Sequence, residues 1–405
     1  MTPPPRTRTE PRLRGPGFFT YALHVWTIFG IALSNIFLAI AVLLFPWAVR
    51  RWRAAWCRFR PAAAPLGFYF LFLAASVAFS YDLHASVGDL GQSFALMTLV
   101  LGIALLDDDR RVEIVVTGLC AVGGLIAAYG LGQLFLGYGD LQHRIRGPFS
   151  HYMTFAGVLL ICDFFLLGEM LAGGKARSLW RWLALLLINA ALLASLTRSA
   201  WVGLAVALTF MLLVSARRLL WIYIPAVLLI VLLAPRPVLQ RVTSIGNLED
   251  VTSYDRLCML EAGLKMIRER PLFGIGPNLV AQRYPIYRQP SAPRIWVPHL
   301  HDAWLEIAAE RGLLSLGAYL WLTVLSLRTA YRGYRGEGDG TSRRRGWFAG
   351  ALFAVVAFNL AGLFENNWGD AEVQRLALFA LCLPFALSEE EPSSSCTTSS
   401  NPSTD

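Results

Sequence analysis

Apolar and polar positions along this chain alternate in long blocks, not in the short periods of a soluble fold. Runs of about 16 to 25 apolar residues recur over most of its length, and one long polar insert interrupts them. In hydrocarbon every backbone polar group must be satisfied within its own segment, so such runs read as membrane-crossing helices. Twelve spans fit, at approximately 17–32, 34–49, 64–80, 89–106, 112–136, 150–172, 180–196, 199–214, 218–234, 302–327, 347–364 and 371–388. The predicted fold class is therefore all-α: a polytopic integral membrane protein with one large loop between its ninth and tenth spans. Residues 1–16 are rich in Pro and Arg, and residues 389–405 are of low complexity, so both ends are predicted to be disordered.

Composition agrees with that class. Of 405 residues 56% are hydrophobic and only 16% charged, against roughly 25% charged in soluble domains. The formal charge of +9 does not point to nucleic acid, because its arginines fall in short clusters between apolar runs. That is an orientation signal. The clusters at 6–14, 50–60, 110–111, 175–181, 217–218 and 328–345 occupy alternate loops, which makes that side cytoplasmic and puts both termini there. Six cysteines show no paired spacing, so neither a disulfide framework nor a zinc site is expected.

Cations on the other side need a separate reason, and an anionic ligand supplies one. They concentrate at Arg144 and Arg146, at Arg198 and in the 235–300 insert. The stretch Trp182 to Val214 is too long for one span and short for two. Two helices of about 16 residues reach about 24 Å each, against a hydrocarbon core of about 30 Å. The turn carrying Arg198 should thus sit slightly below the membrane surface, where an arginine marks function or else snorkels to the headgroups. In the insert, Leu257, Leu260, Leu264 and Ile267 form the stripe of an amphipathic helix that Pro271 ends. With Ser253 or Asp255 as its cap, Arg256 falls in the first turn, where an anion would offset a misplaced cation. A solvated arginine, or a pair with Glu249 or Asp250, is the plainer alternative. "PLFGIGPN" lacks the third glycine of a dinucleotide fingerprint and reads as a structural turn. The aspartates of "DDDRR" at 107–111 read as a solvated turn.

"WVPHLHDAWLEIAAERGLLSLG" places His299, His301, Asp302 and Glu306 ahead of the tenth span. An HxH pair can chelate zinc, but no third ligand of suitable spacing stands near. A general base is the other reading, since histidine titrates near neutral pH. A helix starting near Pro298 would put His301 and Leu305 on one face and Asp302, Glu306 and Glu310 on another. Glu365, at the outer end of a span, is a secondary candidate that can pair an arginine or position a hydroxyl.

Taken in order, "RIRGPFSHYMTFAG", "SLTRSAWVG", "DRLCMLEAGLKMIRERPLFGIGP" and "HLHDAWLEIAAERGLLSLG" resemble the O-antigen ligase family, which shares its architecture with O-antigen polymerases and some protein O-oligosaccharyltransferases. The family's Arg-x-x-x-Leu is met by Arg256 and Leu260. Its histidine followed, after a partner and nine residues, by glycine is met by His301 and Gly312, with Asp302 replacing the usual amide or hydroxyl residue. Ser315 departs from the pattern too. The resemblance implies transfer of an O-antigen glycan from undecaprenyl pyrophosphate to lipid A–core, at the periplasmic face of the bacterial inner membrane, without metal or other cofactor. His301 would be the catalytic base, with Arg198, Arg256 and Arg146 on the donor pyrophosphate and His299, Asp302 and Glu365 as secondary candidates. The expected organisation is nine spans over 17–234, a periplasmic loop domain over 235–300 and three spans over 301–388. The expected partners are the two lipid-linked substrates and membrane lipids, not nucleic acid. An O-antigen polymerase or a protein O-oligosaccharyltransferase using the same donor is the nearest alternative. A multi-pass transporter, from another class, would show paired broken helices in two related halves, and no internal repeat is visible.

Overall fold

In the computed structural model, residues 15–49, 52–171, 178–233, 236, 238–239, 251–338 and 342–388 are described. Residues 1–14 of the predicted N-terminal tail, the C-terminal tail and residues 240–250 of the insert, Glu249 and Asp250 included, lie outside them. Every regular element among the described residues is helical. In chain order these are α1 (Pro16–Trp26), α2 (Ile31–Ala48), α3 (Trp52–Ala78), α4 (Leu83–Asp89), α5 (Met97–Leu105), α6 (Asp109–Gly132), α7 (Tyr152–Leu171), α8 (Leu179–Ala194), α9 (Arg198–Ser215), α10 (Leu220–Leu232), α11 (Val251–Glu269), α12 (Val280–Tyr287), α13 (Ala303–Gly336), α14 (Arg343–Gly362) and α15 (Ala371–Leu387).

A helix occupies each of the twelve predicted spans. Eight helical stretches among the described residues are long and apolar enough to cross a membrane by length and composition. The helices α1, α8, α10 and α15 are shorter than that among the described residues. The centre of the bundle is α7, α14 and α15, buried almost all round, as expected of helices apolar on every side. The closest packing there comes from glycine: a side chain at Gly168 of α7 would overlap the backbone of Gly346 and Gly350 in α14. Small residues permit such an approach, and in lipid, packing of this kind is what drives helices together.

The two ends of the bundle differ in chemistry. At one end Arg343 pairs with Glu113, Arg181 with Glu169 at 2.7 Å and Arg111 with Asp107 at 2.8 Å, while Asp108 caps α6. The "DDDRR" aspartates therefore hold a cap and an ion pair, as a structural turn should. At the other end Thr154 meets Asp370, Tyr81 meets Glu269, and Ser86 donates to the Pro277 carbonyl at 2.9 Å. The segments that the sequence assigned to the outer side do converge at that end.

One device shapes that end. α13 is broken at Gly312, whose φ of 80° and ψ of 167° leave the helix, and a side chain there would overlap the Leu272 carbonyl. Breaking a helix frees backbone groups, which in a buried setting must find partners. The "PLFGIGPN" loop supplies them. Ile275 N–H donates to the Ala309 carbonyl at 2.9 Å, Gly276 N–H to that of Glu310 at 3.0 Å, and Leu313 N–H to that of Pro271 at 2.8 Å. Its role is structural, as its two glycines predicted.

The structure corrects three expectations here. The helix α11 is already formed at Val251, so Ser253 and Asp255 do not cap it and Arg256 lies beyond its first turn. Leu257, Leu260 and Leu264 are exposed, at 48%, 40% and 42%. The face that packs carries Cys258, Met259, Ala262, Gly263 and Met266, because Gly263 admits Leu300 and Leu305 closer than a leucine would. Finally, Cys57 is disulfide-bonded although no spacing suggested it, whereas Cys120, Cys162, Cys258 and Cys382 are free.

Candidate active site

The histidine turn ends where Asp302 caps α13. Its carboxylate accepts from Trp304 N–H at 2.9 Å and Leu305 N–H at 3.0 Å, and burial raises its pKa. His301 thus precedes the helix instead of sharing a face with Leu305. It holds a φ of 54°, a left-handed conformation uncommon for a side-chain-bearing residue. Two carboxylates fix the surrounding backbone: Glu306 accepts from Leu300 N–H at 2.6 Å, and Glu310 from Val280 N–H at 3.2 Å. Glu306 and Glu310 are therefore struts. The left-handed turn folds the two imidazoles together, with ring centroids 4.2 Å apart.

Glu365, from the loop between α14 and α15, meets them. Its Oε1 and Oε2 lie 3.1 and 3.3 Å from His301 Nδ1, and His299 Nε2 is 4.0 Å from Oε1. Arg256 Nη2 stands 3.8 Å from Oε2. Burial pushes the Glu365 pKa up, but the hydrogen bond from His301, the two imidazoles beside it and the Arg256 charge outweigh it and hold the carboxyl below its usual value. Glu365 is an anion here. An ionised carboxylate only accepts, so Nδ1 of His301 carries the proton and Nε2 is left as the basic nitrogen. Burial above all, with the Arg294 charge adding to it, lowers the pKa of His299 to about 4. His299 is neutral at physiological pH.

The arginines divide. α9 runs antiparallel to α14: Gly203 packs on Ala357 and Ala361, and Phe210 on Phe353 at 5.8 Å. Arg198, five residues and about 7.5 Å before Gly203, therefore stands at the level of the Glu365 loop. Its turn is also left-handed, with Leu196 at φ 54°. Arg144 lies over the Tyr152 ring at 4.2 Å, and burial together with the nearby Arg198 charge lowers its pKa. Arg146 behaves differently: it is exposed and donates to the Ser150 carbonyl at 3.2 Å. Of the two arginines in "RIR", the structure brings Arg144 to Arg198 and turns Arg146 aside.

Sequence reasoning missed His151 and Arg294 as neighbours of the site, and named Arg144 without separating it from Arg146. Arg294 ties the loop to α11 through Asp255, with Nε 2.6 Å from Oδ2. For Arg144 and His151 the signal was present, since both lie in "RIRGPFSHY". The segment is a loop, however, and no periodicity says which of its two arginines points inward.

Residues 183–320 match the family model described as O-antigen ligase. The family that the sequence resembled is the one whose model matches. The O-antigen ligase segment covers about a third of the chain, from α8 through the break at Gly312. It contains Arg198, Arg256, His299, His301 and Asp302, while Arg144, Arg146 and Glu365 lie outside it. Family members are glycosyltransferase-type enzymes acting on polyprenyl-linked glycans. No curated protein matches the chain.

Proposed function

We propose that this protein is an O-antigen ligase, moving a glycan from undecaprenyl pyrophosphate to a hydroxyl of lipid A–core at the periplasmic face of the inner membrane. The observation that carries the reading is the contact of His301 Nδ1 with the Glu365 carboxylate at 3.1 Å, beside arginines, at the outer end of a helical bundle. Glu365 holds the imidazole with Nε2 basic. That nitrogen takes the proton of the acceptor hydroxyl as its oxygen bonds to the anomeric carbon. The bond from that carbon to the pyrophosphate breaks, its electrons leave on the pyrophosphate oxygen, and the single displacement inverts the anomeric centre. Arg256, Arg198 and Arg144 are placed to stabilise that charge, which guanidinium groups can do in place of a divalent ion. Between Arg144 and Arg198, whose charges oppose each other, a dianion turns repulsion into attraction. The exposed leucines of α11 flank Arg256 and suit the prenyl chain of a lipid-linked donor.

The test is ligation by purified, metal-free protein. Joining of lipid-linked glycan to lipid A–core supports the reading. Extension of the glycan on its own lipid, with no transfer to core, would show a polymerase instead.

A further inference from the structure

The histidine turn and Glu365 can do more than move a proton. We infer that His299, His301 and Glu365 form a binding site for a divalent transition-metal ion, zinc above all, and that the bound ion switches transfer off. The inhibition rests on the function proposed above. The binding does not.

Each of the three residues offers one ligand atom within 4.8 Å of the other two, and His299 Nε2 and His301 Nδ1 are the nitrogens that approach Glu365 Oε1. Bonds of about 2.0–2.2 Å in a tetrahedral zinc site put neighbouring ligand atoms roughly 3.4 Å apart. His301 Nδ1 and Glu365 Oε1 stand 3.1 Å apart, and His299 Nε2 lies 4.0 Å from that oxygen. A small rotation of His299 completes the set. Two imidazoles and one carboxylate are the donors that zinc takes in sites with an open fourth position. The chain is already arranged for it, because the left-handed backbone at His301 holds both rings on one side. Arg256 opposes the ion, but from Oε2, 3.8 Å away. The metal takes Oε1 and leaves Oε2 to the guanidinium, which makes the site reversible and not structural. The sequence hid it because the third ligand stands 64 residues after His301.

The switch follows from proton bookkeeping on one ring. Without metal, His301 carries its proton on Nδ1 and its lone pair on Nε2. A metal on Nδ1 requires that nitrogen's lone pair, so the ring proton moves to Nε2. The ring keeps one proton and its charge is unchanged. Nε2 becomes an N–H donor, with nothing left to accept the acceptor hydroxyl's proton.

The experiment uses the full chain in detergent, stripped of metal and titrated with zinc sulfate against a chromogenic chelator. One equivalent should bind to wild type, with affinity lowered at least about 10-fold in His299→Ala and in Glu365→Gln. Magnesium, which prefers oxygen ligands, should not compete. Cobalt(II) should give the visible bands of a tetrahedral ion in wild type and lose them in His299→Ala, a readout independent of turnover. Transfer by wild type should fall with zinc and return with chelator. His299→Ala, compared with its own metal-free rate, should resist. Zinc binding that is absent, or undiminished in both variants, overturns the site. Binding without inhibition overturns the switch. Protein active only with zinc would also overturn the switch, and with it the metal-free mechanism, while leaving the site standing. Protein that binds zinc but never transfers glycan would refute the proposed function alone.

Discussion

At the scale of single residues the sharpest test is His301. A general base contributes about 10²- to 10⁴-fold, so His301→Ala should lose roughly that much turnover while the protein inserts and binds donor normally. The proposed mechanism assigns the pyrophosphate to the arginines, and donor-binding and single-turnover measurements on purified protein separate the two. Near-wild-type turnover would remove the histidine from the mechanism. Glu365→Gln keeps the shape but loses the charge that fixes the tautomer, and should cost on the order of 10²-fold, chiefly in kcat. An unchanged pH–rate profile in that variant would mean that Glu365 does not act through His301. His299 gives a prediction on acid sensitivity. In the unfolded chain it takes a proton near pH 6.5, whereas the folded protein resists until about pH 4. The stability owed to this residue is therefore complete above about pH 6.5 and is lost as pH falls toward 4. Thermal unfolding of His299→Asn should depend less steeply on pH across that window than wild type. Parallel curves would show that the imidazole is not held neutral.

Among the elements, the broken helix α13 decides most. Gly312→Ala adds a methyl where the Leu272 carbonyl already stands and forces an alanine to φ 80°. Strain of this kind costs about 1–3 kcal/mol before the overlap is counted, so the variant should melt lower than wild type and assemble poorly. A melting curve and an insertion assay check this together, and an unaffected protein would mean that the break tolerates a side chain. The elements also show where sequence reading works. Membrane helices are legible because twenty apolar residues have few other fates, and each predicted span met a helix. The direction in which a surface helix turns its faces was not legible: on α11 the leucines looked like core, yet Ala262 and Gly263 make the packed side because closeness mattered more than hydrophobicity. Leu260→Ser, on the exposed side, should therefore spare the fold but raise KM for a long-chain donor more than for a short-chain analogue. Equal effects on both donors would refute a role in seating the chain.

For the whole molecule, orientation is the first question, and charge answers it in advance. Cysteines introduced at exposed positions of the 288–296 loop should react with impermeant reagents in spheroplasts, and cysteines near Arg344 should not. Reversed labelling would end the ligase reading. His301 and Arg198 were visible in the sequence as singular residues at helix mouths, while the partnership of His301 with Glu365 was not, because only the packing of α13 against α14 and α15 creates it. That separation has a practical consequence. A recombinant fragment cut at residue 320, where the recognised family segment stops, would own the base but not its counter-ion, and α13 would lose the neighbours that bury it. Genes recombining at that seam would separate two residues that, in the proposed mechanism, form one proton relay. The smallest inheritable unit of this chemistry therefore runs at least to the loop before α15, well past the segment by which it is recognised.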